Sequence, residues 1–143
     1  MINALKKGAT FERLVRLILN KQLYIHGFPY VLERNLNQTR DGGCDLVGLP
    51  GFSFECKRYK NGSTYRSSWW NQTCDNAADD EIPVLIYKYD RQEIQAVVPI
   101  DWFFSAQFIG ETPKQELRDH TAVLKFDSFV WFLMCYLGVT HGK

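Results

Sequence analysis

Asp45, Glu55 and Lys57 are the residues whose types and spacing can carry a reaction. In Phe52-Ser53-Phe54-Glu55-Cys56-Lys57, the two-residue period of a strand puts Phe52, Phe54 and Cys56 on one face and Ser53, Glu55 and Lys57 on the other. The apolar neighbours predict a central, largely buried strand, where an unpaired charge costs several kcal/mol, on the order given for desolvated ions. A bound cation and an anionic substrate would compensate both groups. Asp45 stands on the preceding arm, and a reversal at Pro50-Gly51 would bring it beside Glu55. Two adjacent carboxylates repel unless a hard divalent cation, Mg²⁺ or Mn²⁺, bridges them through oxygen ligands. Such an ion polarises a phosphate and acidifies a water, while Lys57 orients that water or steadies the developing charge. The alternative for the triad is a buried ion-pair network.

These residues need a hairpin, and the surrounding pattern supplies one. Its arms are Cys44 to Leu49 and Phe52 to Arg58. Before it, residues Gly8 to His26 place Phe11, Leu14, Val15, Ile18, Leu19 and Ile25 at helical spacing, with Gly8 or Thr10 opening the helix and Gly27, Phe28 and Pro29 ending it. A strand is expected over Tyr30 to Leu36 and a turn over Asn37 to Gly43. After the hairpin comes a polar stretch, Tyr59 to Ser68, then a helix over Trp69 to Asp80. Strands follow at Ile82 to Tyr89 and Ile94 to Pro99, around a turn at Asp90 and Arg91. The remainder predicts a short helix at Asp101 to Gln107, a strand at Ala122 to Phe126, and a last helix from Asp127, as N-cap, to Leu137.

Asp45 followed after nine residues by Glu55-Cys56-Lys57 resembles the motif of the PD-(D/E)xK nucleases. Gly8-Ala-Thr-Phe-Glu12 is similar to the first-helix pattern of archaeal Holliday junction resolvases and Mrr-type endonucleases, in which a helix glutamate joins the metal site. Arg40-Asp41-Gly42-Gly43-Cys44-Asp45 resembles the Asp-Gly-Gly-x-Asp turn of the Mrr group. The resemblance spans roughly residues 8 to 90 and implies a restriction-endonuclease-like α/β fold, a mixed β-sheet flanked by helices, in one nuclease domain. It implies Glu12, Asp45, Glu55 and Cys56 as metal ligands, and Gln72, on the following helix, near the metal and water alongside the catalytic Lys57. Read from the residues alone, Glu12 is equally a surface carboxylate paired with Arg16, Gln72 a solvated helix residue, and Asp41 a cap for its turn.

A stand-alone catalytic domain of this size is similar to junction resolvases, including small bacteriophage proteins, more than to sequence-specific restriction enzymes. The expected activity is Mg²⁺-dependent cleavage of branched DNA, with Mn²⁺ substituting. An Mrr-like or general nuclease acting on duplex DNA, and a non-catalytic DNA-binding module, are the alternatives. Resolution needs two symmetric nicks and therefore a homodimer.

Bulk properties bound this reading without carrying it. The 143 residues are 45% hydrophobic and 23% charged, as in one globular domain. Net charge is +1, so DNA affinity must come from local patches: Lys6, Lys7, Arg13, Arg16 and Arg40 early, then Arg58, Lys60 and Arg66. Trp69 and Trp70 are core residues or platforms for distorted bases. Aromatics at 15% exceed ordinary core needs, and some are expected at a subunit interface. Cys44, Cys56, Cys74 and Cys135 lack zinc or disulfide spacing with each other or with His26, His120 and His141, which suits a reducing cytoplasm, that of a bacterial host for a phage protein. The isolated histidines do not support an HNH-type site, no glycine-rich loop predicts a nucleotide cofactor, and no segment predicts a membrane span.

Overall fold

The computed structural model describes residues 4–37, 43–104 and 118–140. Its elements are α1 (Ala4–Ile25), β1 (Glu33–Arg34), β2 (Leu46–Val47), β3 (Phe52–Tyr59), α2 (Ser67–Asn76), β4 (Ile82–Tyr89), β5 (Gln95–Pro99), α3 (Asp101–Phe104), β6 (Thr121–Lys125) and α4 (Phe126–Thr140). The strands form one six-stranded sheet in chain order, antiparallel throughout except for the central β3–β4 pair, which is parallel. A parallel pair requires a crossover, and α2 provides it. The expected α/β class, a mixed sheet flanked by helices, is what the chain adopts.

The two faces of the sheet are filled differently. One is covered by α1 and α4 over Phe52, Phe54, Ile82, Val84, Ile86, Ala96 and Val98, an apolar core closed at one end by Trp102. On α1 the buried stripe is Phe11, Val15, Leu19 and Leu23, a strict four-residue period, while Leu14, Leu17 and Ile25 face outward. The other face carries Leu85, Tyr87, Tyr89 and Val97 beneath Trp69, Trp70 and Cys74 of α2.

Several boundaries differ from expectation for local reasons. Helix α1 begins at Ala4, and Thr10, within it, bonds its hydroxyl to the Lys6 carbonyl at 2.9 Å instead of capping. Strands β1 and β2 shrink to two residues each because side chains satisfy the flanking backbone. Asn20 clamps Leu32 through both its amide groups, at 2.9 and 2.7 Å, and Asn35 donates to the Cys44 carbonyl at 2.9 Å. Helix α2 runs from 67 to 76 and not from 69 to 80. Helix α4 starts at Phe126 directly after β6, so Asp127 lies in its first turn and is not the N-cap. Of the Asp101 to Gln107 helix, residues 101–104 are helical and the rest lies outside the described residues. Most of the tail aromatics enter the core: Trp102 packs on Phe52, Phe129, Phe132 and Tyr136. Trp131 stays outward, 70% exposed. Among the described residues no helix is long and apolar enough to cross a membrane.

Candidate active site

The hairpin that joins β2 to β3 positions the acids. Phe52 donates its N–H to the Leu49 carbonyl at 3.3 Å around Pro50-Gly51, and Gly51 has φ +86°, the type II combination of Pro then a left-handed residue. Gly48, at φ +120°, lies so close to the Val31 carbonyl that any side chain would overlap it. With Leu46 paired to Phe54, Asp45 falls beside Glu55, as the hairpin reading predicted. Asp45 donates its N–H to the Phe54 carbonyl and accepts the Cys56 N–H on its carboxylate at 2.7 Å. One side chain therefore replaces a rung of the ladder and holds its own carboxylate at the strand.

Glu55 and Asp45 are 1% and 4% exposed. Burial, then the neighbouring Asp45 charge, pushes the Glu55 carboxyl up to about 8, against the pull of an Asn76 hydrogen bond and the Lys57 ammonium. Asn76 Nδ2 donates to Glu55 Oε2 at 3.3 Å. Lys57, half-buried, lies two residues on along the same strand face.

Glu12 lies at the fringe of this group. Burial first and the Asp45 charge second raise its carboxyl, while Arg34 pulls it down. Its partner is Arg34, whose Nε donates to Oε1 at 3.0 Å, and not Arg16, whose Nε is spent on the Leu32 carbonyl at 3.2 Å. Cys56 turns its thiol to the α1 face, where burial and then the Asp45, Glu12 and Glu55 charges drive its pKa well upward. The alternation of the strand thus puts the Cys56 thiol on the face opposite Glu55 and Lys57, and it is the Cys56 backbone N–H that meets an acid, at Asp45. Among the described residues no three His, Cys, Asp or Glu side chains converge as a ready-made metal cage. The arrangement is a pair of acids flanked by one cation, with a third acid engaged elsewhere.

Gln72 is exposed on α2, and the residue of that helix that reaches the acids is Asn76, one turn further on. Sequence reasoning missed it. The signal was the four-residue step from Gln72, and it is readable only once the parallel crossover sets the C-terminal end of α2 over Glu55.

The predicted cationic residues differ in burial and setting. Lys7 and Arg58 both pair with Asp90, Lys7 at 3.1 Å, and hold its carboxyl below the ordinary range, Lys7 foremost. Lys6, Arg13 and Lys60 are exposed, and Arg40 and Asp41 lie outside the described residues. The Arg66 guanidinium sits 4.7 Å from the Tyr59 ring centre and 5.0 Å from that of Trp69. Trp69 itself is 5% exposed and stacked on Tyr59, a core role and not a free platform. Two grooves, of about 410 and 510 Å³, lie along α4 and share Asp127 and Trp131 in their lining, away from the acid pair. Their lining lacks an acid pair with an adjacent cation, so the chemistry points to the hairpin and not to the larger concavities. Compared with known proteins, the chain matches no family model, no curated protein and no solved structure.

Proposed function

We propose that the protein is a metal-dependent endonuclease of the PD-(D/E)xK type that hydrolyses DNA phosphodiester bonds, with branched DNA as its preferred substrate. The observation that carries this reading is the buried Asp45–Glu55 pair with Lys57 on the same face as Glu55. A fold retains two adjacent desolvated carboxylates at a cost, since they cannot both ionise comfortably unless a cation joins them. The donor set fits a hard ion. It consists of carboxylate oxygens, and Mg²⁺ commonly uses only one or two carboxylates, completing its sphere with water and substrate phosphate.

Asp45 and Glu55 would hold Mg²⁺, or Mn²⁺ in its place. When bound, the ion supplies Lewis acidity to the phosphate and makes water a stronger nucleophile at neutral pH. Asp45, fixed through the Cys56 N–H, keeps its carboxylate from swinging away. Asn76 restrains one Glu55 oxygen. Lys57 places a positive charge where negative charge grows on the phosphate in the transition state. Glu12, poised near Asp45 but paired with Arg34, is a reserve acid for the same site.

Junction cleavage calls for two copies related by a two-fold axis. The outward apolar residues of α1 and α4, Leu17, Tyr24, Trp131 and Val139, give a second copy a surface to cover. The deciding experiment incubates wild type and Glu55→Gln with a labelled four-way junction and a matched linear duplex, with Mg²⁺ and with EDTA. The reading expects Mg²⁺-dependent cutting, stronger on the junction, that disappears in the variant while DNA binding persists. Equal cutting of both substrates would favour a general nuclease. Absence of cutting, or cutting by Glu55→Gln at the wild-type rate, would overturn the assignment.

A further inference from the structure

The polar face of β3 does not stop at Lys57. The two-residue period carries Ser53, Glu55 and Lys57 on to Tyr59, the last residue of the strand. Tyr59 is 38% exposed and its ring lies parallel to that of buried Trp69, with centres 4.9 Å apart and planes 15° from parallel. Arg66, exposed, rests its guanidinium against both rings. The result is an aromatic stack with a rigid buried base, a partly open upper member and a cation at its edge.

The stack is firmly mounted. The Tyr59 carbonyl accepts hydrogen bonds from Asp90 N–H at 3.2 Å and from Arg58 at 2.9 Å, which fixes the end of the strand. Tyr89, its register partner on β4, donates its hydroxyl to the Thr64 carbonyl at 2.6 Å, and Gln92 donates to Gly62 at 2.6 Å. These bonds pin the loop that delivers Arg66. Helix α2 runs back along β3, so Trp69 near its start lies at Tyr59 and Asn76 at its end lies at Glu55. One helix backs both the acids and the stack, which makes their spacing a property of the fold.

We propose that Tyr59 and Arg66 form a nucleobase-stacking subsite that receives an unpaired base of the DNA strand next to the cut. A partly exposed ring with an adjacent guanidinium suits any base face and is tolerant of sequence. A duplex keeps its bases stacked inside and offers only phosphates, which Lys57 and Lys60 on the same stretch would meet. Four strand steps lead from Glu55 to Tyr59, about 13 Å, so the unpaired base lies no more than about four nucleotides' rise from the scissile phosphate. The subsite thereby names the substrate class: DNA in which single-stranded nucleotides adjoin the cleaved bond, as at a flap, a bubble or a branch point whose central pairs have opened.

This inference rests on the nuclease reading for the position of the cut but not for the binding itself. The test therefore measures binding separately, in EDTA, by fluorescence anisotropy of wild type, Tyr59→Phe and Tyr59→Leu on a single-stranded oligonucleotide, a bubble and a blunt duplex. Tyr59→Leu keeps Trp69 covered, and circular dichroism confirms that it folds. The expected result is a loss on the order of tenfold in single-strand and bubble affinity relative to duplex, the loss of about one base stack, with Tyr59→Phe near wild type. A 2-aminopurine placed in the unpaired segment should also be quenched by wild type and not by Tyr59→Leu. Parallel losses on all three DNAs, or no loss on any, would overturn the subsite. A single-strand preference that depends on Tyr59 in a protein that never cuts DNA would overturn the nuclease reading and leave the subsite standing.

Discussion

The two faces of β3 obey opposite rules although they share eight residues. Toward α1 and α4, Phe52, Phe54 and Cys56 enter an apolar core that rewards volume and shape. Toward α2, Ser53 and Glu55 are buried polar groups, followed by a half-buried cation and a partly open aromatic. The first face stabilises the fold, while the second holds groups that the fold alone does not need. Adjacent substitutions on this one strand should therefore change stability in opposite directions.

Phe54→Ala gives the largest expected effect. Phe54 is fully buried, and its loss should cost about 3–5 kcal/mol by urea denaturation. Glu55→Gln, one residue away, should leave stability at pH 8 unchanged or raise it, because it removes a desolvated acid beside Asp45. If both variants lose stability alike, the two faces are one structural unit and the site reading weakens.

Lys57→Ala sharpens the same contrast within the polar face. It should lower the cleavage rate about 10²–10³-fold, the loss typical of removing a charge-stabilising donor, with little change in melting temperature. Gly48→Ala tests the hairpin that brings Asp45 to β3. Strain at its positive φ and the overlap with Val31 should cost about 1–3 kcal/mol, and activity should fall more steeply than stability accounts for.

The polar face should also show a pH slope. With the folded Glu55 pKa raised from 4.5 to about 8, the native state binds more protons than the unfolded state across that window. Stability without metal should therefore fall as pH rises from about 4.5 to about 8 and then level. The Glu55→Gln variant should lack this component, as thermal melts across the window would show.

The hairpin acids were legible because alternation and Pro50-Gly51 are local signals, and local signals also gave β3, β4 and the position of α1. Three features were not. Asn76 depends on the parallel β3–β4 pairing, a long-range fact invisible to spacing along α2. Trp69 is buried against Tyr87 and Tyr89 of β4 and stacked on Tyr59, ten residues earlier, so the aromatic left partly open is the less conspicuous one. Arg34 takes Glu12 because β1 lies against α1, and no i+4 rule on the helix could anticipate a partner on a strand.

In the proposed site Asp45 and Glu55 together hold a divalent cation. Titrating the protein with Mn²⁺ at pH 8 and following the free-ion signal by electron paramagnetic resonance tests it without DNA or turnover. Wild type should remove the free signal through a carboxylate site that Mg²⁺ competes for, and both Asp45→Asn and Glu55→Gln should lose that uptake while remaining folded. Uptake by either variant equal to wild type, or none by wild type, would contradict the account.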